Sequence, residues 1–300
     1  MDSALTNSAI LIFLIILGFA LKRGGMFQQS DSKILSKIML NVTLPAVLVN
    51  AFRDFTLDLR LLSFIFIALA VNLLLVLIGW LAGGRETPRT RAMYILCLSC
   101  FNIGKFAIPF IQYLFPEHIL EAVMFDVGNS VFNCGLSYSF AAMQLDSGSR
   151  FSPKAMIKNL FSTPIFDIYL VIFGLSVCRV RLPDMVYQLA DTVAGANAVV
   201  VMLMLGILFE VRLSQSARRQ VAKILSIRVL CGAVIGGALF LFLPFPLEQR
   251  VVAAMLVCAP ISGMTTVFCE KLDCDPNVYG TATSLTIPIS IAVMVGLAML

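Results

Sequence analysis

Charge is what this 300-residue chain has least of: Asp, Glu, Lys and Arg make up only 13% of it, against roughly 25% in soluble domains. Hydrophobic residues make up 59% and the mean hydropathy is +0.94. Hydrocarbon does not solvate charge, so this composition excludes a water-soluble globule and implies a lipid bilayer as solvent. There is one histidine and one tryptophan. Trp80 ends an apolar run, where indole favours the membrane interface. The length fits several spans of about 20 residues each and leaves no room for a sizeable extramembrane domain, which excludes a large ectodomain or a fused catalytic unit. No nucleotide-binding loop, metal-spaced cluster or nucleophile–base pattern is present. That argues against ATP-driven pumping and against an enzyme, and no cofactor or metal is expected. Eight cysteines include Cys97 and Cys100, one turn apart in an apolar run. With no His or further Cys beside them they read as buried free thiols, not a zinc site or a disulfide framework. The net charge of +5 comes from bases scattered through short loops, so it reads as topology signals and not as a nucleic-acid surface.

Apolar runs broken by polar clusters predict ten transmembrane helices, over 4–21, 34–52, 61–82, 92–114, 119–143, 160–178, 186–209, 221–243, 251–268 and 278–300. Asp2 and no base precede the first run, whereas Lys22 and Arg23 follow it. That order predicts a start-transfer helix with its N-terminus outside, not a cleavable signal. Loops after the odd-numbered runs hold thirteen Lys and Arg, including Arg85, Arg150, Arg212 and Lys223; the opposite loops hold five. The bias places the first set in the cytoplasm and both termini on the outer side of a multi-pass protein.

An internal repeat is visible. Gly18, Arg23 and Asn41 recur as Gly174, Arg179 and Asn197, each 156 positions on, and Gly104 and Pro116 recur near 159 as Gly263 and Pro276. Five spans per half is an odd number, so the second half enters the membrane inverted, a recurrent plan of transporters. The expected organisation is a first five-helix repeat over 1–145, a cytoplasmic linker over 146–158 and a second repeat over 159–300.

Two spans read as broken at matching places. The fourth carries Asn102-Ile103-Gly104-Lys105-Phe106-Ala107-Ile108-Pro109 and the ninth Ala259-Pro260-Ile261-Ser262-Gly263-Met264-Thr265-Thr266. Proline removes an intrahelical bond and clashes with the preceding turn; glycine tolerates an unwound backbone. A broken helix survives in a bilayer only where protein or water covers it, and its half-helix ends point partial charges at a ligand. For either span alone, an ordinary proline kink is the competing reading. Lys105 sharpens the case, because a mid-membrane lysine costs about 2.5–3.5 kcal/mol on insertion scales and faces a cavity or a partner. It could hold an anionic substrate group, serve proton coupling, stand in for a coupling ion as a fixed internal cation, or pair structurally with Asp126 on the adjacent span. Asp126, Asn129 and Asn133 share one helical face and fit a substrate path or helix packing equally well. Asn41, Thr43, Pro45 and Asn197 are repeat members that could line the same cavity. Asn72, Asp167, Asp191 and Arg228 read as pairing with neighbours, Glu210 as interfacial and His118 as a solvated loop residue.

Four segments carry a resemblance to a known family: Leu40-Asn41-Val42-Thr43-Leu44-Pro45, Asn102-x-Gly104-x-x-x-Ile108-Pro109, Asp126-x-Gly128-Asn129, and the tail from Asp275-Pro276 through Thr283-Ser284-Leu285-Thr286-Ile287-Pro288. In this order the chain resembles the auxin efflux carriers, distant relatives of the bile-acid/sodium symporters. The resemblance implies an all-α integral membrane protein of ten helices in two inverted repeats, with helices four and nine crossing at their breaks at Pro109 and Pro260. It also implies carboxylate substrates and elevator-like movement of the crossing bundle against a scaffold containing spans two and seven. The short central loop resembles the bacterial members, located in the cytoplasmic (inner) membrane, and scaffold packing between protomers implies a homodimer. Lys105 departs from the family pattern, which more often has an apolar or aromatic residue there.

The expected function is a secondary transporter of a small organic anion. Asn41, Asn102, Gly104, Lys105, Asn129, Asn197, Ser262 and Gly263 are its candidate binding residues, and Lys105 and Asp126 its coupling candidates. The competing expectations are a sodium-coupled bile-acid-like symporter and a channel or sensor using the same pocket.

Overall fold

The computed structural model describes residues 2–53, 58–145, 153–161, 164–178, 180–209 and 217–300. Arg150, Arg179, Glu210, Arg212 and the first half of the expected linker lie outside the described residues. Within them every regular element is a helix, and the sole strand-like feature is an isolated bridge between Phe101 and Ile261.

The first half opens with α1 (Asp2–Arg23), then α2 (Ser32–Ile38) and α3 (Leu44–Ala51), which are joined by a π-helical stretch over Met39–Thr43. It continues with α4 (Leu59–Ala82), α5 (Pro88–Leu98), a π-helical stretch over Ile103–Ala107 leading into α6 (Ile108–Leu114), and α7 (Ile119–Val131), which reaches α8 (Ser137–Ala142) through a π turn at Phe132–Leu136. A short α9 (Pro153–Leu160) precedes α10 (Pro164–Val177), α11 (Asp184–Gly195), α12 (Asn197–Leu208), α13 (Arg218–Phe242), α14 (Leu247–Val257), α15 (Gly263–Lys271) and α16 (Pro276–Leu297).

Six stretches are long and apolar enough to cross a bilayer: Leu5–Arg23, Gln29–Ala51, Leu59–Ala82, Asp184–Leu208, Arg218–Phe242 and Pro276–Leu297. Three further expected spans are divided, into α5 and α6, α7 and α8, and α14 and α15, and α10 has only 14 residues. The divisions follow local chemistry. Pro88 sits in the first turn of α5, where a missing N–H costs nothing, and Pro109 follows the π-helical stretch in the first turn of α6. Gly135 adopts φ 146° inside the π turn, a conformation that suits glycine. Side chains cap several starts: Asp58 accepts from Arg60 N, Thr87 from Thr90 N, Ser262 from Met264 N and Asp275 from Asn277 N.

Packing between helices uses small residues, as expected where lipid supplies no hydrophobic drive. α1 lies along α12 so closely that a Cβ on Gly206 would collide with the Ile15 carbonyl and the Phe19 amide. α4 packs on α5 and α7, α13 on α14 and α16, and α11 on α3. Large apolar side chains such as Phe13, Phe66 and Leu230 point outward and are exposed, which suits contact with lipid tails.

Contacts between helix ends sort into two groups. In one, Lys22 Nζ donates to the Phe209 carbonyl (2.6 Å), Lys223 pairs with Glu86 (3.5 Å) and donates to the Ala82 carbonyl (2.8 Å), and Arg89 approaches Asp273 (3.9 Å). In the other, Ser176 Oγ lies 3.4 Å from the Phe52 carbonyl, Arg53 stacks over Tyr187, and His118 contacts Glu248.

Candidate substrate site at two crossed helix breaks

α5 and α14 each end in the interior, and the chain continues after a short non-helical segment. In the first break Ser99 is extended and Cys100 adopts φ 64°, a left-handed conformation uncommon outside glycine and of a kind that clusters at functional sites. The two breaks then meet. Phe101 bridges Ile261 antiparallel, and Asn102 N–H donates to the Pro260 carbonyl (2.9 Å).

Unwound backbone inside a membrane protein must find partners, and here side chains from the flanking helices supply them. Asn72 on α4 accepts the Cys100 N–H (2.8 Å). Asn129 on α7 accepts the Phe101 N–H (3.0 Å) and donates to the Phe101 carbonyl (2.9 Å), which also takes Asn133 Nδ2 (3.2 Å). Thr286 on α16 accepts the Ile261 N–H (3.2 Å), and Thr265 Oγ1 donates to the Leu96 carbonyl (3.2 Å). Arg228 on α13 is buried, and its guanidinium donates to the carbonyls of Cys97 (3.1 Å), Leu98 (2.7 Å), Cys100 (3.2 Å) and Ala259 (3.0 Å). One cation thereby closes the C-terminal ends of both half-helices, where partial negative charge collects.

Electrostatics at the crossing follow from this. With the two C-terminal ends neutralised by Arg228, the half-helix N-termini that start at Ile103 and Gly263 keep their partial positive charge. Lys105 adds a full one. It is exposed although its neighbours Gly104, Phe106 and Ala107 are buried, and among the described residues its ammonium has no hydrogen-bond or ion-pair partner. The Asn102 side chain, half-buried, is likewise without a partner there. Asn133 Oδ1 is buried without a donor. A cation and two amide groups with unused capacity therefore lie on the segments that form and hold the crossing.

The other residues singled out from the sequence divide between this crossing and its surroundings. Pro260 and Asn102 lie at the crossing itself. Ser262 caps α15, and Gly263 faces open space. Gly104 is buried in the π-helical stretch, and Pro109 lies a turn further on, at the start of α6. Asn129 is consumed in holding Phe101. Asp126 does not pair with Lys105: Tyr169 Oη donates to its Oδ2 (3.0 Å) and Asn129 Nδ2 to its Oδ1 (3.1 Å). Asn41 is exposed and donates to Lys37 O within its own helix (2.8 Å). Asn197 is buried, accepting from Thr43 Oγ1 (2.7 Å) and donating to Gln112 Oε1 (2.8 Å), so it ties α12 to the second span and to α6. Arg228, Asn72 and Thr286 carry more of the crossing than residue type alone indicates. His118 is not merely solvated, because it bridges Glu121 (3.1 Å) and Glu248 (2.9 Å).

The fold and this centre define a multi-pass helical membrane protein with a polar crossing in its interior. The sequence profile of the membrane transport proteins matches residues 3–164, more than half of the chain, and the chain belongs to this family, the auxin efflux carriers. Among curated proteins none matches it.

Proposed function

We propose that this transporter carries a small organic anion, a mono- or dicarboxylate, by elevator-like alternating access, with the anion held at the crossed breaks. The observation that carries the reading is Lys105, an exposed ammonium beside the crossing that has no partner among the described residues. A carboxylate docked there would gain a charge-assisted hydrogen bond, a partner in Asn102 and the positive end of α15.

The ten-helix inverted arrangement is part of the same proposal, with repeats over 1–145 and 159–300 and the remaining residues linking them. Packing supports it. α4 lies on α5 and α7 as α13 lies on α14 and α16, and α1 lies on α12 as α10 lies on α3. Each relation maps onto its twin when spans one to five are matched with six to ten. Side chains repeat too: Asn72 and Arg228, 156 positions apart, both hold the break, as do Asn129 and Thr286, 157 apart. In this reading the two groups of end contacts are the two membrane faces. The one rich in Lys and Arg is cytoplasmic, and both termini lie on the outer side of the inner membrane.

Uptake of radiolabelled mono- and dicarboxylates into proteoliposomes, under imposed pH, sodium and voltage gradients, tests the assignment. Saturable uptake of one of them supports it; uptake of none under any gradient refutes it. Single-channel currents in place of saturable uptake would establish a channel instead.

A further inference from the structure

Four main-chain carbonyls, those of Cys97, Leu98, Cys100 and Ala259, converge on the guanidinium of Arg228. They come from two interrupted helices, at the ends where the helix dipole is negative. Apart from the arginine, that is the donor set of an alkali-cation site: uncharged hard oxygens from unwound backbone and half-helix C-termini. Thr286 Oγ1 lies at the same break, bonded to Ile261 N–H. A cavity of about 80 Å³ lies beside Arg228, with Thr286 and Ser290 in a wall that is otherwise chiefly apolar.

We propose that Arg228 is a tethered occupant of a monovalent-cation site, so that the wild-type protein takes no alkali cation at the crossing and loss of the guanidinium opens a sodium site there. The charge argument is direct. Two negative helix ends meeting in a low-dielectric interior repel one another and need a cation between them. A side chain that brings its own cation satisfies that need permanently, without dependence on the ion content of either compartment. An oxygen cage left by a truncated side chain keeps the same negative potential, and a small dehydrated ion is the simplest species to answer it. The proposal concerns the ion site alone and does not depend on which solute is carried.

The test is the thermal melting of purified protein in detergent at constant ionic strength, with sodium exchanged for choline, for the wild type, Arg228→Ala and Arg228→Gln. The melting temperature of the wild type should be the same in both salts. Both variants should melt lower than the wild type in choline and rise by several degrees in sodium, in a saturable manner, because a ligand that binds only the folded state stabilises it by mass action. Arg228→Gln covers the case in which the Ala variant is too unstable to purify, since it keeps most of the volume without the charge. A wild type stabilised specifically by sodium overturns the proposal. So do variants indifferent to sodium, and so does failure of both variants to fold in sodium as well as in choline.

Discussion

Asn72 and Arg228 meet at one residue: Asn72 Oδ1 accepts the N–H of Cys100, and Arg228 Nη2 donates to its carbonyl. They come from α4 and α13, the third and eighth spans of the expected repeat, at the 156-residue offset that also relates Gly18 to Gly174 and Asn41 to Asn197. Two positions at this offset do the same job, pinning unwound backbone, with different chemistry. The neutral amide answers a single N–H, whereas the guanidinium answers four carbonyls drawn from both breaks.

Asn129 holds both polar groups of Phe101. Asn129→Leu orphans the Phe101 N–H and removes one of two donors to its carbonyl, and a buried unsatisfied group costs about 1–3 kcal/mol. The variant should melt several degrees below the wild type in detergent. An unchanged melting temperature would show that water or another side chain replaces the amide.

The α1–α12 contact depends on the absence of a side chain at Gly206. Gly206→Ala forces a methyl group into the Ile15 carbonyl and should lower both folded yield and melting temperature. At Gly237 a Cβ would meet no atom within 4 Å, so Gly237→Ala should be neutral or slightly stabilising, given the better helix propensity of alanine. Equal effects of the two substitutions would contradict the close approach of α1 and α12.

His118 joins the loop before α7 to the start of α14. Its hydrogen bond to Glu121, reinforced by Glu248 and opposed by burial, pushes its pKa up to about 9 from an ordinary 6.5. The folded state thus holds this proton more tightly than the unfolded chain does. The resulting stabilisation is complete below about pH 6.5, the unfolded value, and disappears as pH rises through about 9. Melting temperature should fall between those limits, and His118→Gln should flatten that part of the profile. A wild-type profile already flat from pH 6.5 to 9 would show that the histidine does not hold a proton in the folded state.

Much of the architecture is legible in the sequence because hydrocarbon imposes strong rules. Apolar runs locate the helices, and Gly and Pro beside Asn102 and Pro260 locate the breaks, since those residue types decide where an intrahelical bond is lost. The pairing of side chains is less legible. Arg228 reads as one of several intramembrane polar residues, because its partners are main-chain carbonyls, which carry no residue-type signal. Asp126 reads as a partner for Lys105 on sequence proximity, but helix rotation turns it toward Tyr169, from a span some forty residues further on. The 156-residue offset between Asn72 and Arg228 is present in the sequence, yet an Asn-to-Arg match scores as no match until both are seen on the same residue. Pro109, marked by its motif as a crossing residue, lies beyond the π-helical stretch that follows the break, in the first turn of α6. Phe101 and Ile261, the residues that bridge, are apolar and indistinguishable by type from their neighbours.

The proposed function rests on Lys105 as the group that docks an anion at the crossing. The direct measurement compares saturable carboxylate uptake by wild type and Lys105→Ala in matched proteoliposomes, after equal melting temperatures have established equal folding. Loss of a charge-assisted hydrogen bond worth about 1.5–3 kcal/mol predicts a fall of roughly tenfold to a hundredfold in uptake efficiency. Uptake by the variant equal to that of the wild type would contradict the account.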